Sequence, residues 1–105
     1  MYKNKISIYL PNDISYSLNN LQNLGSYMVK FMTNTFGHCY QTESSFTYKI
    51  RDQYNDRKMV IIFSWCSDED LTNHQEGVLL QAKIIKELCG VDSLPVEINN
   101  ELWYV

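Results

Sequence analysis

What this chain has little of narrows its possibilities first. No stretch approaches the roughly 20 apolar residues of a membrane-spanning helix, so neither a span nor a membrane partner is expected. Cysteine is scarce: Cys39, Cys66 and Cys89 are odd in number and far apart. That suits free thiols in a reducing compartment rather than a disulfide framework. Positive charge is in deficit, with nine Lys and Arg against twelve Asp and Glu, a formal net charge of −3. Such a balance argues against whole-molecule attraction to nucleic acid or an anionic membrane, while leaving room for a local basic patch. The start, "MYKNKISIYLP", carries no apolar run of signal-peptide length, so the expectation is a cytoplasmic protein without a removable leader. Linkers, repeats and low-complexity segments are missing too, and residues 1–105 are expected to make one domain.

The strong catalytic signatures are also missing. G-x-x-x-x-G-K-S/T, G-x-G-x-x-G and G-x-S-x-G do not occur, so kinase, dinucleotide-binding and serine hydrolase chemistry have no anchor. No C-x-x-C or H-x-x-x-H spacing supports zinc, and no metal or cofactor is expected. His38 and Cys39 follow the first helix while Cys66 and His74 flank the start of the second. In the fold inferred below these were expected at opposite ends of the sheet. Cys66 precedes a helix N-terminus, which would stabilise a thiolate. Asp68, Glu69 and Asp70 crowd that terminus and oppose one, so Cys66 reads as a packing residue. The run Ser67–Asp70 lacks the spaced ligands of a calcium loop and is simpler as a helix cap.

What is present is a clear alternation of elements. Ile6, Ile8 and Leu10 alternate with Lys5, Ser7 and Tyr9, a half-buried strand stopped by Pro11-Asn12-Asp13. Asp13 can cap a long amphipathic helix whose inner positions are Ile14, Leu18, Leu21, Met28 and Met32, ending near Phe36 before Gly37. Residues 38–45 read as a polar connection, 46–50 as a strand, and Asn55-Asp56 as a tight hairpin turn. "MVIIFSWC", 59–66, is the return strand, and it holds eight residues without a charge. Ser67 opens a second helix with Leu71, Val78, Ala82, Ile85 and Cys89 inward and Gly90 at its end. Short strand segments lie either side of Asn99-Asn100. The order βαββαβ implies an α+β, ferredoxin-like sandwich: a four-stranded antiparallel sheet, first and third strands central, with two helices on one face.

A strand in such a sheet usually wets one face. In 59–66 both alternating sets are largely apolar. With the turn at Asn55-Asp56, Ile50 faces Ile61, Tyr48 faces Phe63 and Phe46 faces Trp65. That greasier set, with Met59, is expected under the helices. The other face then receives Lys5, Tyr9, Lys49, Arg51, Val60 and Ile62. Val60 and Ile62 would form a self-association centre, giving a homo-oligomer with a dimer as first guess. Lys5, Lys49 and Arg51 would supply charge for an anionic partner, Tyr9 and Tyr40 stacking or hydrogen bonds, and His38 a rim donor. The aromatic set expected of an RNA-binding sheet is absent, so nucleic acid is not the expected partner.

"ISIYLP" (6–11), "TFGHC" (35–39), the hairpin and "ELWYV" (101–105) together resemble a group of small phage- and plasmid-type proteins of βαββαβ plan. The resemblance departs at "SSFTYKIRDQ", where similar sequences tend to carry Gly and Trp. It implies a compact accessory protein of a mobile element that works by binding, with a host-defence component as a conceivable target. The function expected is therefore non-enzymatic: a self-associating protein that captures a nucleotide-like ligand or an acidic protein surface. The alternatives are a small enzyme with a Cys/His site at the sheet margin, and a plain dimeric regulatory or scaffold module.

Overall fold

A computed structural model describes residues 2–11 and 24–105. Strand β1 (Asn4–Pro11) follows its alternation, with Ile6, Ile8 and Leu10 buried while Lys5 and Tyr9 are half-buried. Helix α1 (Leu24–Phe36) turns Leu24, Met28, Met32 and Phe36 inward at four-residue steps. It stops at Gly37, whose φ of 87° is open to glycine and strained for other residues. The expected cap Asp13 and inner residues Ile14, Leu18 and Leu21 lie outside the described residues.

Strands β2 (Tyr40–Ile50) and β3 (Gln53–Cys66) form a long hairpin. Helix α2 (Asp68–Cys89) begins with the expected cap: Ser67 Oγ accepts from the Asp70 N–H at 3.1 Å. It ends at Gly90, φ 70°, whose N–H donates to the carbonyls of Lys86 and Glu87. Val78, Ala82 and Ile85 are fully buried along it; the Cys89 side chain is outside the described residues. Strands β4 (Pro95–Ile98) and β5 (Glu101–Tyr104) meet at Asn99-Asn100, both at positive φ, as a two-residue type I′ hairpin requires.

The sheet order is β2-β3-β1-β4-β5, every neighbouring pair antiparallel. This is the ferredoxin-like arrangement with a fifth short strand added at one edge. The core lies between the sheet and the two helices, built from Ile6, Ile8, Leu10, Ile62, Cys66, Val96 and Ile98 below and Met28, Met32, Val78 and Ile85 above.

Two expectations about the hairpin are overturned. The turn is Arg51-Asp52, not Asn55-Asp56, with Ile50 paired to Gln53 and Arg51 at φ 56°. Residues 40–45 are not a loop but the first half of β2. As an edge strand β2 needs no core face, so its Gln, Thr, Glu and Ser residues suit it. Second, the two faces of β3 are exchanged. Ile8 pairs with Ile62, and Leu10 with Val60, so Val60, Ile62, Ser64 and Cys66 lie under the helices. Ile62 is fully buried and does not form an open self-association centre. Lys5 pairs with Trp65, Ser7 with Phe63 and Tyr9 with Ile61, which puts Met59, Ile61, Phe63 and Trp65 on the face without helices. The small and β-branched side chains fit the shallow space beneath α1 and α2. The bulky aromatic ones are turned away from it.

Candidate functional site

The face without helices is apolar over most of its length. β1 ends where Pro11 meets Met59; beyond that pair, among the described residues, β2 and β3 continue as a two-stranded arm. On the arm's open side stand Phe46, Tyr48 and Ile50, all exposed, with the Phe46 and Tyr48 rings 5.5 Å apart. The arm's other side is tied by a 2.6 Å hydrogen bond from Thr47 Oγ1 to Asp56 Oδ1 and by the Lys49 ammonium 5.5 Å from the Tyr54 ring centroid. An isolated two-stranded ribbon is marginal in water, and this one carries its apolar residues on one side.

At the opposite end of the hairpin, aromatic rings form a row, and one cation lies over two of the rings beside it. Tyr40 stacks on Phe63 at 5.3 Å, His38 meets Tyr40 edge-on at 5.7 Å, and Tyr2 lies 5.5 Å from His38. The Lys5 ammonium sits 4.4 Å above the Phe63 centroid and 5.7 Å from that of Trp65. A cavity of about 400 Å³ is lined by Tyr2, His38, Tyr40 and Trp65. The backbone fixes His38: its carbonyl accepts from Ser64 Oγ at 2.8 Å, and its Nε2 accepts from the Trp65 N–H at 3.2 Å. The ring therefore continues the β2–β3 ladder past Tyr40. It was expected to be a donor at the rim; Nε2 is an acceptor here, which leaves Nδ1 as the donor.

On the β1–β4–β5 side a second cavity, about 550 Å³, lies among Tyr9, Phe46, Met59, Glu97, Leu102 and Tyr104. Tyr9 Oη donates to Glu97 Oε1 at 3.4 Å. Burial and the Glu97 charge push the Tyr9 phenol above its ordinary value, so it stays a neutral donor.

Of the expected binding residues, His38 and Tyr40 share one cavity; Lys5 reaches over Phe63 and Trp65 from β1, across β3 from Tyr40. Tyr9 is on the same face but belongs to the other cavity. Lys49 and Arg51 are at the arm's tip, with Lys49 on its other side, nine and eleven residues on from Tyr40 and so about 30 Å or more away. They share no site with Lys5. Phe63, Trp65, Tyr2 and Glu97 were missed. The signal for the first two was there, in the alternation of 59–65 with its bulkiest rings on one side.

The ends of α1 and the start of α2 were expected far apart; they are neighbours, with the His74 ring edge-on to Phe36 at 5.9 Å. Antiparallel β2 and β3 carry the chain away and back, so both helices meet the same end of the sheet. Even so, no group of three His, Cys, Asp or Glu side chains among the described residues is placed to hold a metal. Cys66 is buried under the helices; burial first, then Asp70 and Asp68, raise its thiol above the ordinary value. Burial raises the Cys39 thiol as well. Neither is an activated nucleophile. Among the described residues, no helix is long and apolar enough to cross a membrane.

No family model and no curated protein matches the chain in sequence. Solved structures match in fold. A phage SAM lyase in the apo state superimposes with a TM-score of 0.60 at 15% identity, over 97% of this chain and 87% of that one. The phage SAM lyase in complex with S-methyl-5'-thioadenosine gives 0.55 at 13% identity, over 97% and 88%. CutA from Pyrococcus horikoshii gives 0.55 at 15% identity, over 93% and 83%.

Proposed function

We propose that the protein is a self-associating binding module, of the kind encoded by phages and mobile elements. Copies of it meet through the face of the sheet that carries no helices, and it captures a nucleotide-like anion at the cluster of Lys5, His38, Tyr40 and Trp65. The observation that carries this is the oily open face. Aromatic side chains offer about 150–250 Å² each. At exposures between 38% and 66%, Tyr40, Phe46, Tyr48, Trp65 and Tyr104 together present roughly 500 Å². Ile50, Leu102 and the half-buried Met59, Ile61 and Phe63 carry the face toward the ~800 Å² that each partner contributes to a stable interface. That exceeds the roughly 300–600 Å² of the largest patch on an ordinary monomer. At the cluster, ring faces suit a base, and the ammonium suits a phosphate.

Light scattering on the purified protein tests the assembly. An oligomer is expected, and the double variant Phe46→Asp, Ile50→Asp should be a folded monomer. Wild-type protein that stays monomeric at 100 μM-scale concentration (roughly the level at which weak interfaces fill) overturns it. Titration with AMP and ATP, followed by tryptophan fluorescence, tests the ligand. Lys5→Ala should weaken binding about tenfold or more, and Arg51→Ala should leave it unchanged. Equal affinity in Lys5→Ala sinks the anion site. A role against a host-defence component would be the use to which such capture is put.

A second reading, catalytic, is favoured by the fold shared with phage SAM lyase along nearly the whole chain. S-methyl-5'-thioadenosine carries a purine, which the rings of His38, Tyr40 and Trp65 could stack. Incubation with SAM and chromatography for S-methyl-5'-thioadenosine decides it; absence of product under saturating SAM removes this reading.

A further inference from the structure

We infer that the cavity on the β1–β4–β5 side of the open face is a site for a small organic cation with an apolar body. Its volume of about 550 Å³ falls within the roughly 300–1,000 Å³ of small-molecule sites. Its walls are largely apolar, with Met59 and Leu102 beside the rings of Phe46 and Tyr104. Among the described residues, one ionisable carboxylate lines it. Glu97 accepts a single hydrogen bond, from Tyr9, through Oε1; among the described residues Oε2 has no partner and no cation pairs with Glu97. The cation that the register places diagonally across from it, Lys5, leans over Phe63 and Trp65 instead.

A half-buried carboxylate without an ion-pair partner, set on an otherwise largely apolar wall, decides the ligand's chemistry. A neutral apolar molecule would strip water from Glu97 without replacing it. An anion would be repelled. An ammonium or other onium group supplies the missing charge, and its alkyl or aryl body fills the rest. The faces of Phe46 and Tyr104 add cation–π attraction. The preference is opposite in sign to that of the Lys5 cluster, and the site stands whether or not that cluster binds anions. Should a second copy cover the open face, the cavity becomes a chamber at the contact.

The test is titration of the full chain with phenyltrimethylammonium, benzyl alcohol and benzoate, followed by amide shifts in nuclear magnetic resonance spectra. The cation should saturate with shifts centred on Glu97, Leu102 and Tyr104, and bind about tenfold or more tighter than either of the others. Glu97→Gln should cost the cation about tenfold and leave benzyl alcohol unchanged. Leu102→Lys, on the exposed terminal strand, places an internal ammonium there and should abolish cation binding in a folded protein. The inference is overturned if benzyl alcohol binds as tightly as the cation, if the shifts map elsewhere or are absent, or if Glu97→Gln binds undiminished. If Glu97→Gln fails to fold, undiminished binding by Leu102→Lys overturns it equally.

Discussion

Ile61 and Ile62 are neighbours in the chain, identical in chemistry, and on opposite faces of the sheet. Replacing each with Ala therefore asks which face is core. Ile62 is fully buried, paired with Ile8 and roofed by the helices. Ile62→Ala removes three carbons from a packed interior and leaves a cavity, which costs about 2–5 kcal/mol. For a domain of about 100 residues each kcal/mol shifts the melting temperature by roughly 4–8 °C, so a loss near 3 kcal/mol lowers it by about 12–24 °C. Ile61 is half-buried between Tyr9 and Thr42 on the open side. In a lone subunit Ile61→Ala should cost about 1 kcal/mol or less, from partial loss of apolar burial. Urea unfolding at low protein concentration reads both. At high concentration assembly adds stability by mass action, and Ile61→Ala should lose that increment while Ile62→Ala keeps it. Should Ile62→Ala be too unstable to purify, Ile62→Val at about 0.5–1.5 kcal/mol serves instead. Equal or reversed costs at low concentration would mean that the helices lie on the other side of the sheet.

Asn4 is buried and joins three elements, donating from Nδ2 to Asp68 Oδ1 at 2.8 Å and accepting from Asn99 Nδ2 at 2.7 Å. Asn4→Ala should cost about 1–3 kcal/mol by urea unfolding; an unchanged midpoint would show that this junction holds nothing. The hydrogen bond from Asn4, then the one from Lys3, keep the Asp68 carboxyl below its ordinary 3.8. A depressed folded value means stability present above about pH 4 and lost as pH falls through the folded value, so Asp68→Asn should flatten the acid limb of a stability–pH curve. Both Cys39 and Cys66 have raised thiols, burial being the first cause. In native protein at pH 8 iodoacetamide should therefore modify Cys66 at least about tenfold more slowly than in urea, as read by peptide mass mapping; fast labelling would revive a thiol enzyme.

The elements with one dominant signal were legible in the chain. β1 has strict alternation, and α2 has a capping serine followed by three acids and a terminal glycine. Asn99-Asn100 has the residues that a positive-φ turn prefers. The hairpin lacked such a signal. Asn55-Asp56 fits a tight turn by chemistry, yet Arg51-Asp52 forms it, because the register of the whole ladder outweighs the preference of two residues. The polar run 40–45 conceals an edge strand, since an edge strand has no core face to declare it. The side of β3 was ambiguous for a different reason: both of its alternating sets are apolar, so periodicity alone could not choose. Pairing with β1 chooses. That one face of the sheet is oily and open is legible in the sequence, as are Lys5 and Tyr9 on it; that Met59, Ile61, Phe63 and Trp65 make it, rather than Val60 and Ile62, is not. Lys49 and Arg51 were assigned there through the wrong turn.

Two helices on one side of a five-stranded sheet leave the other side to water unless something covers it. The usual remedy is a polar set at every second position. Here that set includes Phe63 and Trp65, the bulkiest residues of β3 where it pairs with β1, while Val60, Ile62, Ser64 and Cys66 face the core. The charges on the open face are equally out of line with a surface built only for stability. Lys5 and Glu97 are diagonal neighbours across β1 and β4, about 7–8 Å apart or less, and a surface pair there would be worth up to about 1 kcal/mol. They do not pair. Lys5 is held by two aromatic rings and Glu97 by one phenol. Each charge thus stays on an apolar background, the ammonium over Phe63 and Trp65 and the carboxylate at the cavity it shares with Tyr9. An ion pair between them would serve folding alone; left apart, they suit the recognition proposed above.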